Sequence, residues 1–166
     1  MNKMRTESWC GYDIRFVEVN GEWRAILKDI CDALKLKTFD VSRRLPPDMI
    51  ERVKVDVSDM VSNHNRSRGE NETRWMLAIN ELGIYEALFA SRRLEARKFR
   101  MWAGTVMQKL RKNVGLQQYE VMRMTEPEIQ NEIDWILDTL YWDEEKKCVM
   151  QSVTVQGGDV EQVPFE

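Results

Sequence analysis

The sequence is poor in the residues that build disulfides and metal sites. It contains three cysteines, spread between positions 10 and 148, and a single histidine, His64, among 166 residues. An odd number of cysteines without a Cys-x-x-Cys pair argues against a disulfide framework, and one histidine is too few for a structural zinc site. We therefore expect three reduced thiols, no metal ion and no other cofactor.

Long apolar runs are also missing. No stretch approaches the ~18 apolar residues that a membrane span requires. Residues 1–11 mix charged and polar side chains and lack the apolar core of a secretion signal. The sequence accordingly predicts a cytoplasmic protein with no membrane partner.

Signals of catalysis are absent as well. The only Gly-Gly pair, at positions 157 and 158, lies in an acidic segment and does not match a phosphate-binding loop. No Gly-x-Ser-x-Gly turn is present, and His64 lies in a polar segment, so a nucleophilic triad has no support. The pattern therefore favours a binding protein over an enzyme.

What the sequence does contain is an uneven distribution of charge. The formal net charge is −3. Residues 1–115 hold 22 Lys and Arg against 16 Asp and Glu, whereas residues 116–166 hold 3 against 12. Such asymmetry indicates a basic surface that meets an anion and an acidic segment that faces solvent or a basic partner.

The first part of the chain predicts an α+β domain with a small antiparallel sheet. Residues 12–19 alternate polar and apolar side chains, with Ile14 and Phe16 inward, and Asn20-Gly21 is a strong hairpin turn signal. Further elements of this part are helices over 27–36 and 39–45, the second capped by Thr38, strands over 52–57 and 74–79, and a long exposed loop over 58–73.

Two more helices are predicted over 81–90 and 93–112. Asn80 is placed to cap the first. Gly115 is placed to end the second. The apolar stripe predicted for the first helix consists of Leu82, Tyr85, Leu88 and Phe89. On a wheel of ~100° per residue, the buried face predicted for the second holds Phe99, Trp102, Val106 and Leu110, and a separate arc holds Arg93, Arg97, Arg100 and Arg111.

Residues 116–166 predict an acidic module that contains a helix and a β-hairpin. The helix starts at Thr125, with Pro127 in its first turn and apolar positions at 129, 133, 136, 137 and 140. The hairpin joins 148–155 to 160–165.

The basic segment 91–112 carries eight Lys and Arg against one acid, Glu95. Guanidinium groups match phosphate oxygens, and counterion release supplies free energy, so this helix predicts contact with a DNA or RNA backbone. A solvated basic face, or one paired with the acidic segment of the same molecule, is the alternative. The residues predicted to contact nucleic acid are Arg43, Arg44, Arg92, Arg93, Arg97, Lys98, Arg100, Arg111 and Lys112.

The acidic segment combines carboxylates with large aromatic side chains. If the aromatics are exposed, this mixture suits a basic protein partner, whereas buried aromatics are simply core. The residues predicted for partner binding are Asp134, Trp135, Asp138, Tyr141, Trp142 and Glu144.

Several spaced motifs occur in the first part of the chain. They are Asn80–Tyr85 (NELGIY), Ser91-Arg92, Glu95–Trp102 (EARKFRMW) and Leu110–Lys112, preceded by Trp23 in the hairpin and by Lys28–Leu34 (KDICDAL). Together they resemble the Bro-N domain of phage and prophage antirepressors and of baculovirus repeated-ORF proteins. The resemblance runs from about Tyr12 to Gly115. Two departures are Met107-Gln108, where Leu-Pro often stands, and the acidic segment, which differs from the usual antirepressor C-terminal domains.

The resemblance implies an α+β nucleic-acid-binding domain of viral or prophage origin, active in the host cell. The expected organisation is a leader over 1–11, a Bro-N-like domain over 12–115 and an acidic module over 116–166. Two functions are carried forward: a DNA-binding, antirepressor-like regulator, and a protein that sequesters a phage repressor or host defence protein through its acidic segment. A third hypothesis is that the acidic segment folds onto the basic helix of the same molecule and blocks it. The oligomeric state, including a homo-oligomer, is left open.

Overall fold

The structure is a computed structural model that describes residues 3–56, 73–154 and 158–165. The loop predicted over 58–73, with His64, lies outside the described residues except for Thr73. By its internal contacts the chain divides into two compact units, Met1–Met101 and Trp102–Glu166, called the N-terminal unit and the C-terminal unit below. The domain limits given above, 1–11, 12–115 and 116–166, stay a prediction.

The N-terminal unit is built on a five-stranded antiparallel sheet. Its strands are β1 (Met4–Trp9), β2 (Tyr12–Val19), β3 (Glu22–Ile26), β4 (Ile50–Asp56) and β5 (Thr73–Ile79). Their order in the sheet is β1-β2-β3-β5-β4, so the long connection from β3 to β4 carries two helices across one face. The predicted α+β class with a small antiparallel sheet is confirmed.

The β2–β3 hairpin forms where the Asn-Gly signal predicts it. Asn20 and Gly21 have φ angles of 52° and 84°, the left-handed conformation that this dipeptide tolerates best. Strand β1 was not predicted, because MRTESW lacks an apolar alternation. It pairs with β2 through a second left-handed turn at Cys10 and Gly11.

Four helices accompany the sheet: α1 (Leu27–Leu34), α2 (Thr38–Arg44), α3 (Glu81–Ala90) and α4 (Leu94–Asn113), which continues past the end of the N-terminal unit. The predicted inner face of α1 is confirmed, since Leu27, Ile30, Cys31 and Leu34 are all buried in the main core. Burial raises the pKa of the Cys31 thiol. Thr38 is the first residue of α2 rather than its cap, which is Lys37.

Helix α3 begins as predicted but packs through a different face. The Asn80 side chain accepts a hydrogen bond from the Gly83 amide at 3.0 Å, which confirms the cap. The predicted apolar stripe is wrong for three of its four residues: Leu88 packs against the core, but Leu82, Tyr85 and Phe89 are exposed, and Gly83 and Ala87 are buried instead. Small residues form the inner face because the helix lies close to the sheet. A Cβ on Gly83 would lie 3.0 Å from the Cβ of Ile79. Tyr85, also exposed, stacks on Phe99 with a centroid distance of 6.0 Å.

The inner face of α4 is also rotated from the predicted one. Trp102 is 63% exposed, Val106 is exposed and Phe99 is half-buried, so of the predicted face only Leu110 is buried. The side that is covered runs through Ala96, Ala103 and Leu110, seven residues apart. This line lies about 55° around the helix from the predicted one. The prediction followed the largest apolar side chains, whereas the structure covers two alanines together with Leu110.

The C-terminal unit contains a 3₁₀ helix (Gln118–Thr125), helix α5 (Pro127–Asp138) and a three-stranded sheet of β6 (Leu140–Asp143), β7 (Cys148–Thr154) and β8 (Val160–Pro164) in that order. The β7–β8 hairpin is confirmed, and β6 was not predicted. Ile129, Ile133 and Ile136 are buried as expected, whereas Leu137 is exposed and Glu126 rather than Thr125 precedes the first turn. No helix among the described residues has the length and apolar character needed to cross a bilayer.

Candidate nucleic-acid interface

The nine predicted nucleic-acid contacts do not form one open ridge. Six side chains are exposed and three are wholly or largely covered. The exposed ones are Arg43, Arg44, Arg92, Arg97, Lys98 and Lys112. The covered ones are Arg93, Arg100 and Arg111. The rotation of α4 explains the division, because these three arginines lie beside the true inner face rather than opposite it.

Arg93 is held by four neighbours. Its guanidinium lies over the rings of Trp9 and Tyr12, at 5.5 and 5.3 Å from their centroids, and donates a hydrogen bond to the carbonyl oxygen of Ala33. It also forms an ion pair with Glu95 at 3.2 Å, and its side chain is only 18% exposed. The prediction that Arg93 is open to solvent is therefore wrong. Its contacts join the start of α4 to the end of α1 and to the β1–β2 turn.

Arg100 closes the C-terminal end of α3. Its guanidinium donates to the carbonyl oxygens of Leu88, at 3.0 Å, and of Ser91. Carbonyls at a helix end lack intrahelical partners and carry partial negative charge, so a cation there is favourable. This arginine is half-buried and engaged, which corrects its predicted place on an open face.

Arg111 is buried at 6% exposure and donates to the carbonyl oxygen of Leu116. The same turn contains backbone hydrogen bonds from Gly115 to Lys112 and from Leu116 to Arg111. This pattern is a Schellman motif, and Gly115 takes the left-handed φ of 74° that it requires. Gly115 thus ends α4 as predicted, but Arg111 fastens the turn and is not available to a ligand.

The corrected basic surface of the N-terminal unit consists of Arg43, Arg44, Arg92, Arg97 and Lys98. Among the described residues, none of these five side chains forms an ion pair with a carboxylate. They come from the last turn of α2, from the α3–α4 connection and from the first turns of α4. Unpaired cations are the groups that can exchange counterions for phosphates.

One residue of this surface was not predicted. Phe39, in the first turn of α2, is 68% exposed, and the Arg43 guanidinium lies 5.4 Å from its ring centroid. An exposed ring beside a cation provides a flat surface for a base or a sugar. The wheel could not identify it, because a seven-residue helix gives too little periodicity to tell an inward ring from an outward one.

Glu95 is an acid in the first turn of α4, close in sequence to Arg97 and Lys98. The backbone amide of Glu95 hydrogen-bonds its own carboxylate and thereby lowers the pKa of the side chain, with a further contribution from Arg93. The carboxylate is therefore charged at neutral pH and is occupied by Arg93. The negative charge of Glu95 therefore acts mainly on Arg93, which is already covered.

The predicted partner surface lies in the C-terminal unit. Trp135 and Trp142 are 61% and 53% exposed, and Tyr141 is exposed as well. The carboxylates predicted for this surface, Asp134 and Asp138 on α5 and Glu144 after β6, are exposed. Glu144 forms an ion pair with Lys147 at 2.8 Å. No group of three or more His, Cys, Asp or Glu able to hold a metal ion occurs in the part of the chain that the structure describes.

Comparison with models of known protein families gives a match for the N-terminal part of the chain. The model of the BRO family, N-terminal domain, matches residues 13–108, more than half of the chain. The match includes β2 from its second residue, β3 to β5, α1 to α3 and most of α4, whereas β1 lies before it. No curated protein and no solved structure matches the chain.

Proposed function

The chain belongs to the BRO family through its N-terminal domain, and on this premise we propose that it is a DNA-binding regulator of the phage or prophage antirepressor type. Its role is binding rather than catalysis, and its place of action is the cytoplasm of the host cell. The family is associated with antirepressor-like DNA-binding proteins, which agrees with the chemistry of the N-terminal unit.

The observation that carries the proposal is the set of five exposed cations, none of which is ion-paired within the part of the chain that the structure describes. Arg92 lies in the α3–α4 connection, Arg97 and Lys98 lie in the first turns of α4, and Arg43 and Arg44 lie in the last turn of α2. Each can hold a phosphate oxygen without first giving up a carboxylate. Contacts of this kind fix the protein on a duplex but carry no sequence information, so sequence preference must come from other groups.

Two of the covered arginines support the same function in another way. Arg93 and Arg100 fasten the first half of α4 to its neighbours, so Arg97 and Lys98 project from a helix whose position is fixed. A fixed scaffold reduces the entropy lost when a ligand is bound. These residues are positioning residues and do not touch DNA.

Electrophoretic mobility shift of the full-length protein with duplex DNA at low salt tests the proposal. The proposal predicts a shifted complex with the wild type and a much weaker one with the variant R92Q/R97Q/K98Q. Failure of the wild type to shift any duplex at low salt would overturn it. The variant's circular dichroism spectrum and melting temperature serve as the folding control.

A second candidate function is the sequestration of a basic, DNA-binding protein, such as a phage repressor or a host defence protein, by the C-terminal unit. The exposure of Trp135 and Trp142 beside carboxylates favours it, because exposed tryptophans often dominate binding energy at interfaces. The test adds the protein to a purified prophage repressor bound to its labelled operator. Release by the wild type but not by W135A/W142A supports sequestration, and equal release by both contradicts it.

A further inference from the structure

A cleft lies between two connections of the N-terminal unit. One wall is the segment that joins α1 to α2, and the other is the segment that joins α3 to α4. Its volume is about 890 Å³, within the range of small-molecule and cofactor sites. Neither the family match nor the wheel of α4 points to this place.

The lining of the cleft is strongly basic. It contains four cations, Lys35, Lys37, Arg92 and Arg93, and one acid, Asp40. Lys35, Lys37 and Arg92 are exposed, and among the described residues none of them is ion-paired. Three like charges on the residues that line one cleft repel one another, so an anion that binds between them reduces this repulsion.

The two walls are tied to each other without a ligand. Ser91, which is buried, donates from its hydroxyl to the carbonyl oxygen of Leu34 at 2.9 Å and accepts from the Arg93 amide at 3.2 Å. Arg93 then reaches back to the Ala33 carbonyl oxygen. Lys35 caps α1 in the left-handed conformation, with a φ of 55°. The cations are thus presented from backbone that is already fixed, which lowers the entropic cost of binding.

The rest of the lining is apolar. Leu34, Leu36, Ala90 and Leu94 provide the carbon surface between the cations. A bare inorganic anion would leave that surface wet, whereas a ligand with a charged group and a carbon-rich body would cover it. A nucleotide unit, with a phosphate for the cations and a sugar for the leucines, has this composition.

We propose that the cleft binds the phosphate of one nucleotide unit, held by Lys35, Lys37 and Arg92. The nucleotide is either part of a DNA strand, in which case the inference rests on the proposed function, or a free mononucleotide. In both cases the cleft adds Lys35 and Lys37 to the residues that recognise the ligand. Arg93 forms the wall and stays engaged with Ala33 and Glu95.

The experiment compares K35Q/K37Q with a matched control, K3Q/K54Q, in the full-length protein. Both variants remove two exposed lysines of the N-terminal unit, but Lys3 and Lys54 lie outside the cleft lining. DNA affinity is measured by fluorescence anisotropy over a salt series. In a second arm, dAMP and inorganic phosphate are titrated while backbone amide resonances are followed by NMR.

If the DNA strand is the source, K35Q/K37Q weakens binding by roughly tenfold and reduces the salt slope by about 1, as the loss of one phosphate contact requires, while the control changes neither. If the wild type does not bind DNA but dAMP shifts the amide resonances of residues 35–37 and 92, the proposed function is wrong. The inference about the cleft is then supported, with a free nucleotide as its ligand. Equal behaviour of the two variants toward DNA, together with no dAMP-specific shift in the cleft, overturns the inference. Amide shifts produced equally by inorganic phosphate and dAMP would overturn the nucleotide assignment.

Discussion

Arg100 donates a hydrogen bond to the carbonyl oxygen of Leu88 at 3.0 Å, so a cation in the middle of the most basic segment serves the end of a neighbouring helix. Arg97, one turn earlier on α4, is exposed and has no ion-pair partner among the described residues. Two arginines of the same helix thus have different tasks, and their substitutions separate stability from binding.

We expect Arg100→Gln to lower the free energy of unfolding by about 1–3 kcal/mol, because it removes charge-assisted hydrogen bonds to carbonyls at the end of α3. Arg97→Gln should change the same quantity by less than about 0.5 kcal/mol. Urea unfolding of the full chain, followed by circular dichroism, measures both. Equal stability of the two variants would show that Arg100 does not fasten α3.

A pair of glycines tests the close approach of α3 to the sheet. Gly83→Ala should destabilise the protein by about 1–3 kcal/mol, because the new Cβ would lie 3.0 Å from the Ile79 Cβ and 3.4 Å from the Met49 carbonyl oxygen. Gly104→Ala in α4 meets nothing within 4 Å and should stabilise it by about 0.5–1 kcal/mol through helix propensity. Thermal melts of both variants decide the point. A stabilised Gly83→Ala variant would contradict the packing described for α3.

Glu95 gives a pH dependence whose sign follows from its pKa. The hydrogen bond from its own amide, and the charge of Arg93, lower the pKa of the Glu95 carboxyl in the folded state. The resulting stabilisation is present above the ordinary glutamate pKa of about 4.3 and is lost as the pH falls through the lowered value. Glu95→Gln should therefore flatten the fall in stability between pH 5 and pH 3.

The control for this measurement is Glu86→Gln, which changes an exposed glutamate of α3 that has no ion-pair partner in the described parts of the chain. Chemical unfolding at a series of pH values is run on the wild type and on both variants. A Glu95→Gln variant whose stability falls with pH as steeply as that of the wild type would refute the role given to the carboxylate.

The elements of the fold were predictable where a local signal specifies them. Asn20-Gly21 specifies a turn by backbone conformation alone, and Asn80 specifies a helix start by one side-chain hydrogen bond. The faces of α3 and α4 were not predictable. The inner side of each helix depends on how closely Gly83 or Ala96 allows it to approach the rest of the core. The periodicity of the large apolar residues does not reveal that distance.

The candidate site shows the same limit. Composition identified the basic segment. It could not distinguish an arginine that faces solvent from one that caps a neighbouring helix, because Arg97 and Arg100 lie on the same arc of the helical wheel of α4. The sequence did not predict a role for Lys35 and Lys37, because that role depends on their tertiary neighbours among residues 90–94. It did not predict one for Phe39, because the exposure of a side chain cannot be read from a seven-residue helix. Only the fold brings Lys35 and Lys37 together with Arg92.

The most direct measurement of the central claim is the salt dependence of DNA binding by the full-length protein, determined by fluorescence anisotropy with a labelled duplex. If the five exposed cations each neutralise one phosphate, log K should fall with log salt with a slope of about −4 to −5, and R97Q/K98Q should reduce the slope by about 2. A flat salt dependence, or an R97Q/K98Q variant with the slope of the wild type, would contradict the claim that this surface grips the DNA backbone.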